Sequence, residues 1–318
     1  MKAQPIITVE GLRKRYGPVT AVDGISFEVQ PGEIFGMVGP NGSGKTTTIE
    51  CIEGLRQPDE GSLRVLGFNP RSDCIPLRER TGIQLQASNL PERMRVEEAL
   101  DLFASFYPQP EDWNGLLEEL GLADKRRSFF SQLSGGQKQR LYIALALINR
   151  PEIVFLDELT TGLDPQARHA TWDLVRKVRS RGATVFLTTH FMDEAERLCE
   201  RVAILDHGRI LALDSPANLV AGLGASVHLS FSLNGLGRSE TVSPEAIAHT
   251  LAAIGAMDGV QKVEREGDLV RLCGQGEELV GAVILALEAA RLPYHDIRTE
   301  QANLEDVFLA LTGRAVRN

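Results

Sequence analysis

The sequence predicts an α/β fold, a mostly parallel sheet with helices on both faces, followed by a small α+β segment. Three observations predict it. Short apolar runs (residues 34–38, 153–156, 184–187 and 202–205) have the near-continuous hydrophobicity of strands buried on both faces. Stretches with apolar residues at i, i+3 and i+4 separate several of them, as crossover helices would. Near residues 219–224 the character changes, and the remaining hundred or so residues alternate strand and helix patterns of their own.

Taken in order, Ile6 to Val9 reads as a first strand, and Ile25 to Val29 alternates with period two like a half-buried strand. Between them lies Lys14-Arg15-Tyr16-Gly17, where Tyr16 either packs in the core or stacks on a purine ring. Pro31-Gly32 marks the turn before the apolar run Ile34 to Val38. That run leads into Gly39-Pro40-Asn41-Gly42-Ser43-Gly44-Lys45-Thr46-Thr47, and a helical pattern follows from Thr48. The pattern G-x-x-x-x-G-K-[ST] between a strand and a helix is a phosphate-binding loop. Its physical basis is donor density: small residues let successive backbone N–H groups turn inward beside the positive end of a new helix. Lys45 adds a point charge for the terminal phosphates, and Thr46 a hydroxyl for Mg²⁺. An ordinary glycine-rich turn is the alternative, and the flanking strand and helix disfavour it. The chain is therefore expected to bind a nucleoside triphosphate.

Gln57 to Ser62 reads as a turn, Leu63 to Gly67 as a strand, and Ile83 to Gln86 as a short strand with a polar end. From Arg95 to about Arg150 the periodicity is helical, an insertion between two parts of the α/β core. Within it, Ser134 and Gln137 have the spacing of a capping box at the start of the apolar helix 141–147. Gly135 and Gly136 in that first turn each cost about 1 kcal/mol against Ala. They make sense where a group, most simply an anion, must approach the helix N-terminus closely. The run Ile153 to Leu156 ends in Asp157-Glu158, and Thr184 to Leu187 ends in Thr188-Thr189-His190. Polar, titratable ends are what an open α/β sheet presents to a ligand beyond the carboxyl ends of its strands.

Beyond residue 222, strand (227–231), helix (244–254), hairpin (260–264 and 269–273), helix (277–290), strand (294–298) and helix (304–311) follow one another. This part shows no phosphate loop, metal-ligand spacing or catalytic constellation and reads as a structural or interaction module. The resulting division is 1–222 and 223–318, with the helical insertion at about 87–150.

Composition sets the remaining bounds. The 318 residues have room for two domains, and 43% hydrophobic with 24% charged residues is ordinary for a soluble globular chain. No apolar run approaches the ~20 residues that span a bilayer, and the N-terminus lacks the apolar core of a secretory signal. A membrane role therefore requires another chain to cross. Cys51, Cys74, Cys199 and Cys273 are widely spaced, which fits reduced cytosolic thiols. A net charge of −9 does not favour nucleic acid as a partner.

With these motifs in hand, residues 6 to about 220 resemble the nucleotide-binding subunit of ATP-binding cassette (ABC) transporters. The phosphate loop Gly39 to Thr47, Leu133-Ser134-Gly135-Gly136-Gln137 as the family's signature sequence, Ile153 to Glu158 as its Walker B strand, Thr161-Gly162-Leu163-Asp164 as its D-loop and His190 as its switch histidine stand in the family's order. The segment 303–313 resembles the C-terminal extension of ATPases that serve export-type permeases. The resemblance implies a RecA-like sheet with an antiparallel β part and a helical part, carrying a small α+β accessory domain. It implies ATP and Mg²⁺ as cofactors, with Tyr16, Val22, Gly39, Asn41, Gly42, Ser43, Gly44, Lys45, Thr46 and Thr47 around the nucleotide. Thr46, Asp157 and a Q-loop glutamine would serve Mg²⁺. Glu158 would orient or deprotonate the attacking water, and His190 would contact the γ-phosphate. Gln86, which directly precedes the loop 87–91, is the first choice for the Q-loop residue and Gln84 the fallback.

The resemblance also implies a head-to-tail dimer, in which Ser134, Gly135, Gly136 and Gln137 cap ATP bound on the partner, with Asp164 in the D-loop. Integral membrane permease subunits and a place on the cytoplasmic face of the inner membrane follow from the same source. One position departs from the family pattern: Leu159 stands where Pro is usual, which frees the backbone of Glu158. An importer ATPase, or a soluble ABC ATPase outside transport, is the alternative reading. The roughly 90 residues between phosphate loop and signature leave no room for the long coiled coils of chromosome-organising relatives.

Overall fold

In the computed structural model, which describes residues 4–84, 89–223, 226–233, 243–276 and 278–313, the chain falls into two units, Met1–Pro216 and Ala217–Arg314. In the first, β1 (Ile7–Tyr16) and β2 (Val19–Val29) form an antiparallel hairpin. The fully buried β3 (Ile34–Val38) then runs into the glycine-rich loop and α1 (Lys45–Ile52). β4 (Glu60–Val65) returns to the free side of β1, completing a three-stranded sheet in the order β2-β1-β4. After α2 (Cys74–Arg80) and β5 (Thr81–Gln84) come the helical elements α3 (Val96–Ala104), α4 (Trp113–Glu119) and α5 (Gly135–Leu147). The chain resumes its α/β alternation with β6 (Ile153–Asp157), α6 (Pro165–Ser180), β7 (Thr184–Thr189), α7 (Met192–Leu198), β8 (Arg201–Asp206) and β9 (Arg209–Asp214). The six-stranded sheet has the order β5-β6-β7-β3-β8-β9, parallel except for β9 at its edge.

The two sheets of this unit share one core. The Phe35 ring centroid lies 5.4 Å from those of both Phe27 and Phe186, and Phe155 lies 5.9 Å from Phe186. Ile7, Val9, Leu12 and Val65 of the antiparallel sheet join the same cluster as Ile49 and Ile52 of α1. Burying each such large apolar side chain stabilises the fold by about 1.5–3 kcal/mol. α1 thus sits on a fixed floor, and the loop before it inherits that rigidity.

A short helix, α8 (Pro216–Ala221), carries the chain from one unit to the next. The second unit contains β10 (Ser226–Ser232), α9 (Pro244–Gly255), β11 (Val260–Glu266), β12 (Leu269–Gln275), α10 (Leu279–Ala289), β13 (His295–Gln301) and α11 (Leu304–Thr312). Its antiparallel sheet has the order β11-β12-β10-β13. Phe231, Val270, Val283 and Leu287 lie at the centre of its apolar core. Local chemistry sets its helix ends: the Ser243 hydroxyl accepts from Ala246 N–H, and Asn303 and Asp306 form a capping box.

Four departures from the sequence reading have identifiable causes. β1 continues to Tyr16, so Lys14 to Tyr16 are strand residues; bulges between Val9 and Leu12 and further on break the alternation that marks a strand. Glu60 to Ser62, read as turn, pair with β1 and begin β4. α2 is a single helical stretch around Leu77, its one buried residue, too short for a periodic signal. β9, half exposed at the sheet edge, has an apolar run (Ile210 to Leu213) like that of β8, but only His207-Gly208 separate it from β8, so the sequence does not mark it as a strand of its own. No helix among the described residues is long and apolar enough to cross a membrane.

Candidate active site

The phosphate loop is built from backbone constraints. At Gly39, with φ 157°, an added Cβ would stand 2.2 Å from the Leu205 carbonyl oxygen and 2.8 Å from Ser43 Oγ. At Gly44, with φ 107°, it would stand 2.4 Å from the Ala21 carbonyl oxygen. Neither position admits a side chain. Ser43 N–H donates to Pro40 O at 3.1 Å, and Gly208 N–H donates to Ser43 O at 2.9 Å, which ties the loop to the turn between β8 and β9. Ser43 Oγ is itself buried and has no hydrogen-bond partner among the described residues. An orphaned hydroxyl in this place suits a ligand oxygen.

Lys45 is 3% exposed and its Nζ donates to Gly39 O at 2.8 Å and Pro40 O at 3.1 Å. Burial holds its pKa below the ordinary lysine value, and the Glu158 and Asp157 carboxylates work against that fall. Asn41 and Gly42 are exposed, whereas Thr46 and Thr47 are half-buried at the start of α1. Val22 is fully buried, and it follows Ala21, the residue against which Gly44 closes. Tyr16 is 40% exposed, with the Arg56 guanidinium 5.1 Å and Lys14 Nζ 5.7 Å from its ring centroid. Among the two sequence possibilities for Tyr16, a wholly buried core role is therefore set aside.

The carboxyl ends of β6 and β7 lie side by side because Asp157 pairs with Thr188 in parallel register. Asp157 is 3% exposed and accepts a hydrogen bond from the Thr188 hydroxyl, with Thr46 close enough to lower its pKa. Burial raises its pKa; Glu158 adds to the rise, while Thr188, Lys45 and Thr46 draw it back. Glu158 follows with φ 48°, in the left-handed region. Its N–H is anchored to Thr188 O at 3.1 Å and to Thr188 Oγ1 at 3.3 Å. Leu159 is buried, so the residue that replaces the family's usual Pro contributes to the core. His190 Nδ1 lies 3.6 Å from Glu158 Oε1, with both side chains largely buried, and Thr161 Oγ1 donates to Glu158 Oε2 at 3.4 Å.

The signature residues assemble elsewhere on the same unit. Ser134 N–H donates to Gln137 Oε1 at 2.9 Å, and Gln137 N–H donates back to Ser134 Oγ at 3.3 Å, the capping box expected at the start of α5. A Cβ on Gly136 would lie 3.3 Å from Ala167 Cβ, so part of the need for small residues there comes from the close approach of α6. Asp164 caps α6, accepting from Ala167 N–H at 2.8 Å. Gln84 is buried at the end of β5, and Gln86 lies outside the described residues. Thr188, which touches both Asp157 and Glu158, was not singled out from the sequence; its signal was the polar pair Thr188-Thr189 closing an otherwise apolar run.

Comparisons with known proteins identify the family and the fold. The family model described as ABC transporter matches residues 22–161. Over 99% of its length the chain is 38% identical to the Nod factor export ATP-binding protein I of Ralstonia nicotianae, covering 96% of that protein. It is 39% identical to the protein of the same name from Paraburkholderia xenovorans, with 98% of each chain covered. Among solved structures, the ATP-binding subunit of an ABC transporter matches with a TM-score of 0.62 and 30% identity, covering 69% of this chain and 93% of that one. A dimeric bacterial ABC transporter cassette matches with a TM-score of 0.59 and 28% identity, covering 66% of this chain and 98% of that one.

Proposed function

The chain belongs to the ATP-binding subunits of ABC transporters, and from that premise we propose that it is the ATPase that drives a membrane export system, with Glu158 as the residue that activates water. The observation that carries the reading is the meeting of Asp157, Glu158 and His190 at the carboxyl ends of β6 and β7, electrostatically coupled to Lys45 of the phosphate loop. The loop's backbone, Ser43 and Lys45 bind the β- and γ-phosphates, and Tyr16 offers its exposed ring to the base. Thr46 and Asp157 are hard oxygen donors already close to each other, a donor set that fits Mg²⁺. Bound there, Mg²⁺ supplies charge neutralisation for the phosphates. Glu158 accepts a proton from the attacking water while its anchored backbone fixes the direction of attack, and His190 holds the γ-phosphate side of the site.

Two copies close head-to-tail, so that Ser134 to Gln137 of one protomer cap the nucleotide held by its partner; the dimeric form named for a similar cassette supports this. Asp164 holds the D-loop at the same seam. Permease subunits cross the membrane, and this chain works on their cytoplasmic face, a reading supported by its match to ATP-binding subunits of ABC transporters. The export named for relatives matched along nearly the whole chain supports the direction of transport. Replacing Glu158 with Gln tests the reading. Turnover should fall about 10²–10³-fold with ATP binding kept, and Mg-ATP should drive the variant into a dimer on size exclusion. Unchanged turnover, or a monomer at saturating Mg-ATP, defeats the catalytic or the dimer assignment respectively.

A further inference from the structure

Glu194 is 2% exposed, lies four residues after His190 on α7, and has no part in the site described above. Trp172 Nε1, from the middle of α6, donates to Glu194 Oε1 at 2.9 Å. The Thr189 hydroxyl, beside His190, lowers the pKa of the same carboxyl and also accepts from Phe191 N–H at 3.0 Å. One buried acceptor on α7 thus holds α6 by a direct hydrogen bond and sits beside the end of β7. A second contact lies one turn earlier on α6: the Arg168 guanidinium stands 4.1 Å from the Phe191 ring centroid and 3.9 Å from Asp193 Oδ2. Phe191 in turn lies 4.1 Å from the His190 ring.

Burial raises the Glu194 carboxyl pKa, and Thr189 and Trp172 oppose that rise. A carboxyl in such a place is a costly way to fill space. An apolar pair would pack the same volume without burying an ionisable group, and fixed direction is what hydrogen bonds add. The geometry points to Glu194 as a positioning residue for ATP hydrolysis, tying α6 to α7 and the segment after β7 so that His190 stays 3.6 Å from Glu158. Because α6 begins at Asp164, the same tie makes the orientation of His190 follow movements of the D-loop. The inference rests on the assignment of Glu158 and His190 to the hydrolytic site.

The test measures ATP turnover and nucleotide binding of the purified full chain carrying E194A, E194Q, W172F or E158Q. E194A should lower kcat at least about tenfold per folded molecule while KM for ATP shifts less than about threefold. E194Q, which keeps an acceptor for Trp172, should recover kcat to within about threefold of the parent, and W172F should lose about three- to fivefold. Should E194A fail to fold, W172F and E194Q decide the matter. A kcat for W172F and any folded E194A within a factor of about two of the parent, or a loss that tracks only the folded fraction, overturns the proposal. If E158Q turns over ATP like the parent, the hydrolytic assignment falls first and takes this one with it. If E158Q is inactive while W172F and E194A are normal, only the Glu194 proposal falls.

Discussion

Fourteen of the fifteen buried polar or charged side chains among the described residues belong to Met1–Pro216, and only Thr250 belongs to Ala217–Arg314. Thr250 merely returns its hydroxyl to Ala246 O of its own helix at 2.9 Å. In the first unit Lys45, Asp157, Thr188, Thr189 and Glu194 are buried in and behind the candidate active site, and Glu53 is buried beneath it. The contrast is more than a matter of size. The second unit has an apolar core with its polar groups outside, including His228, Arg271 and Cys273 around a cavity of about 890 Å³. The first unit buries groups that lower stability unless they are paired, which is the mark of a region shaped by chemistry as well as by folding.

The largest test of this contrast is Phe231→Ala in the second core, where Phe231 is fully buried. Denaturant unfolding should register a loss of about 3–5 kcal/mol, with ATP turnover per folded molecule unchanged. Turnover that falls along with stability would show that the division of labour is wrong. Next is Glu53, 5% exposed at the C-terminal end of α1, with neither carboxylate oxygen hydrogen-bonded among the described residues. Burial, with repulsion from Asp157 and Glu50, pushes its pKa up to about 9. The folded state therefore keeps this proton after the unfolded state has released it. The resulting stability is fully present below the ordinary carboxylate pKa of about 4.5 and is lost as pH climbs toward about 9. Glu53→Gln should flatten the fall, removing up to about 1.4 kcal/mol per pH unit across that window, as read from unfolding curves at a series of pH values. Equal slopes in parent and variant would mean that Glu53 ionises freely. The smallest effect belongs to the exposed Lys262–Glu264 pair of the second unit, 2.6 Å apart with both side chains about 60% exposed. Glu264→Ala should change stability by less than about 0.5 kcal/mol, and a larger loss would place part of that unit's stability on its surface.

Sequence reasoning reached some parts of the molecule and missed others for physical reasons. The phosphate loop, the capping box at Ser134 and Gln137 and the carboxylates at the end of β6 are local patterns, so their chemistry is visible in consecutive residues. The strands and helices of the second unit were legible because its core follows simple periodicity. Thr188 and Glu194 act through neighbours 31 and 22 residues away, and only the pairing of β6 with β7 and the packing of α6 on α7 reveal them. The left-handed backbone at Glu158 is similarly a product of tertiary anchoring, since nothing in Asp-Glu-Leu demands it. Gln86 shows the opposite limit, a residue chosen by resemblance that lies outside the described residues.

The strand order has a consequence for biosynthesis. β3 lies between β7 and β8, so the strand that feeds the phosphate loop is flanked by strands made about 150 residues later. Parallel pairing over such separations closes late, and a slip of one residue in register would turn Thr188 and Asp157 away from each other. A nascent or half-folded chain therefore holds its loop and its carboxylates on unconnected pieces. Only the pairing of the parallel strands brings the two into one place, so a copy without that pairing has no assembled site.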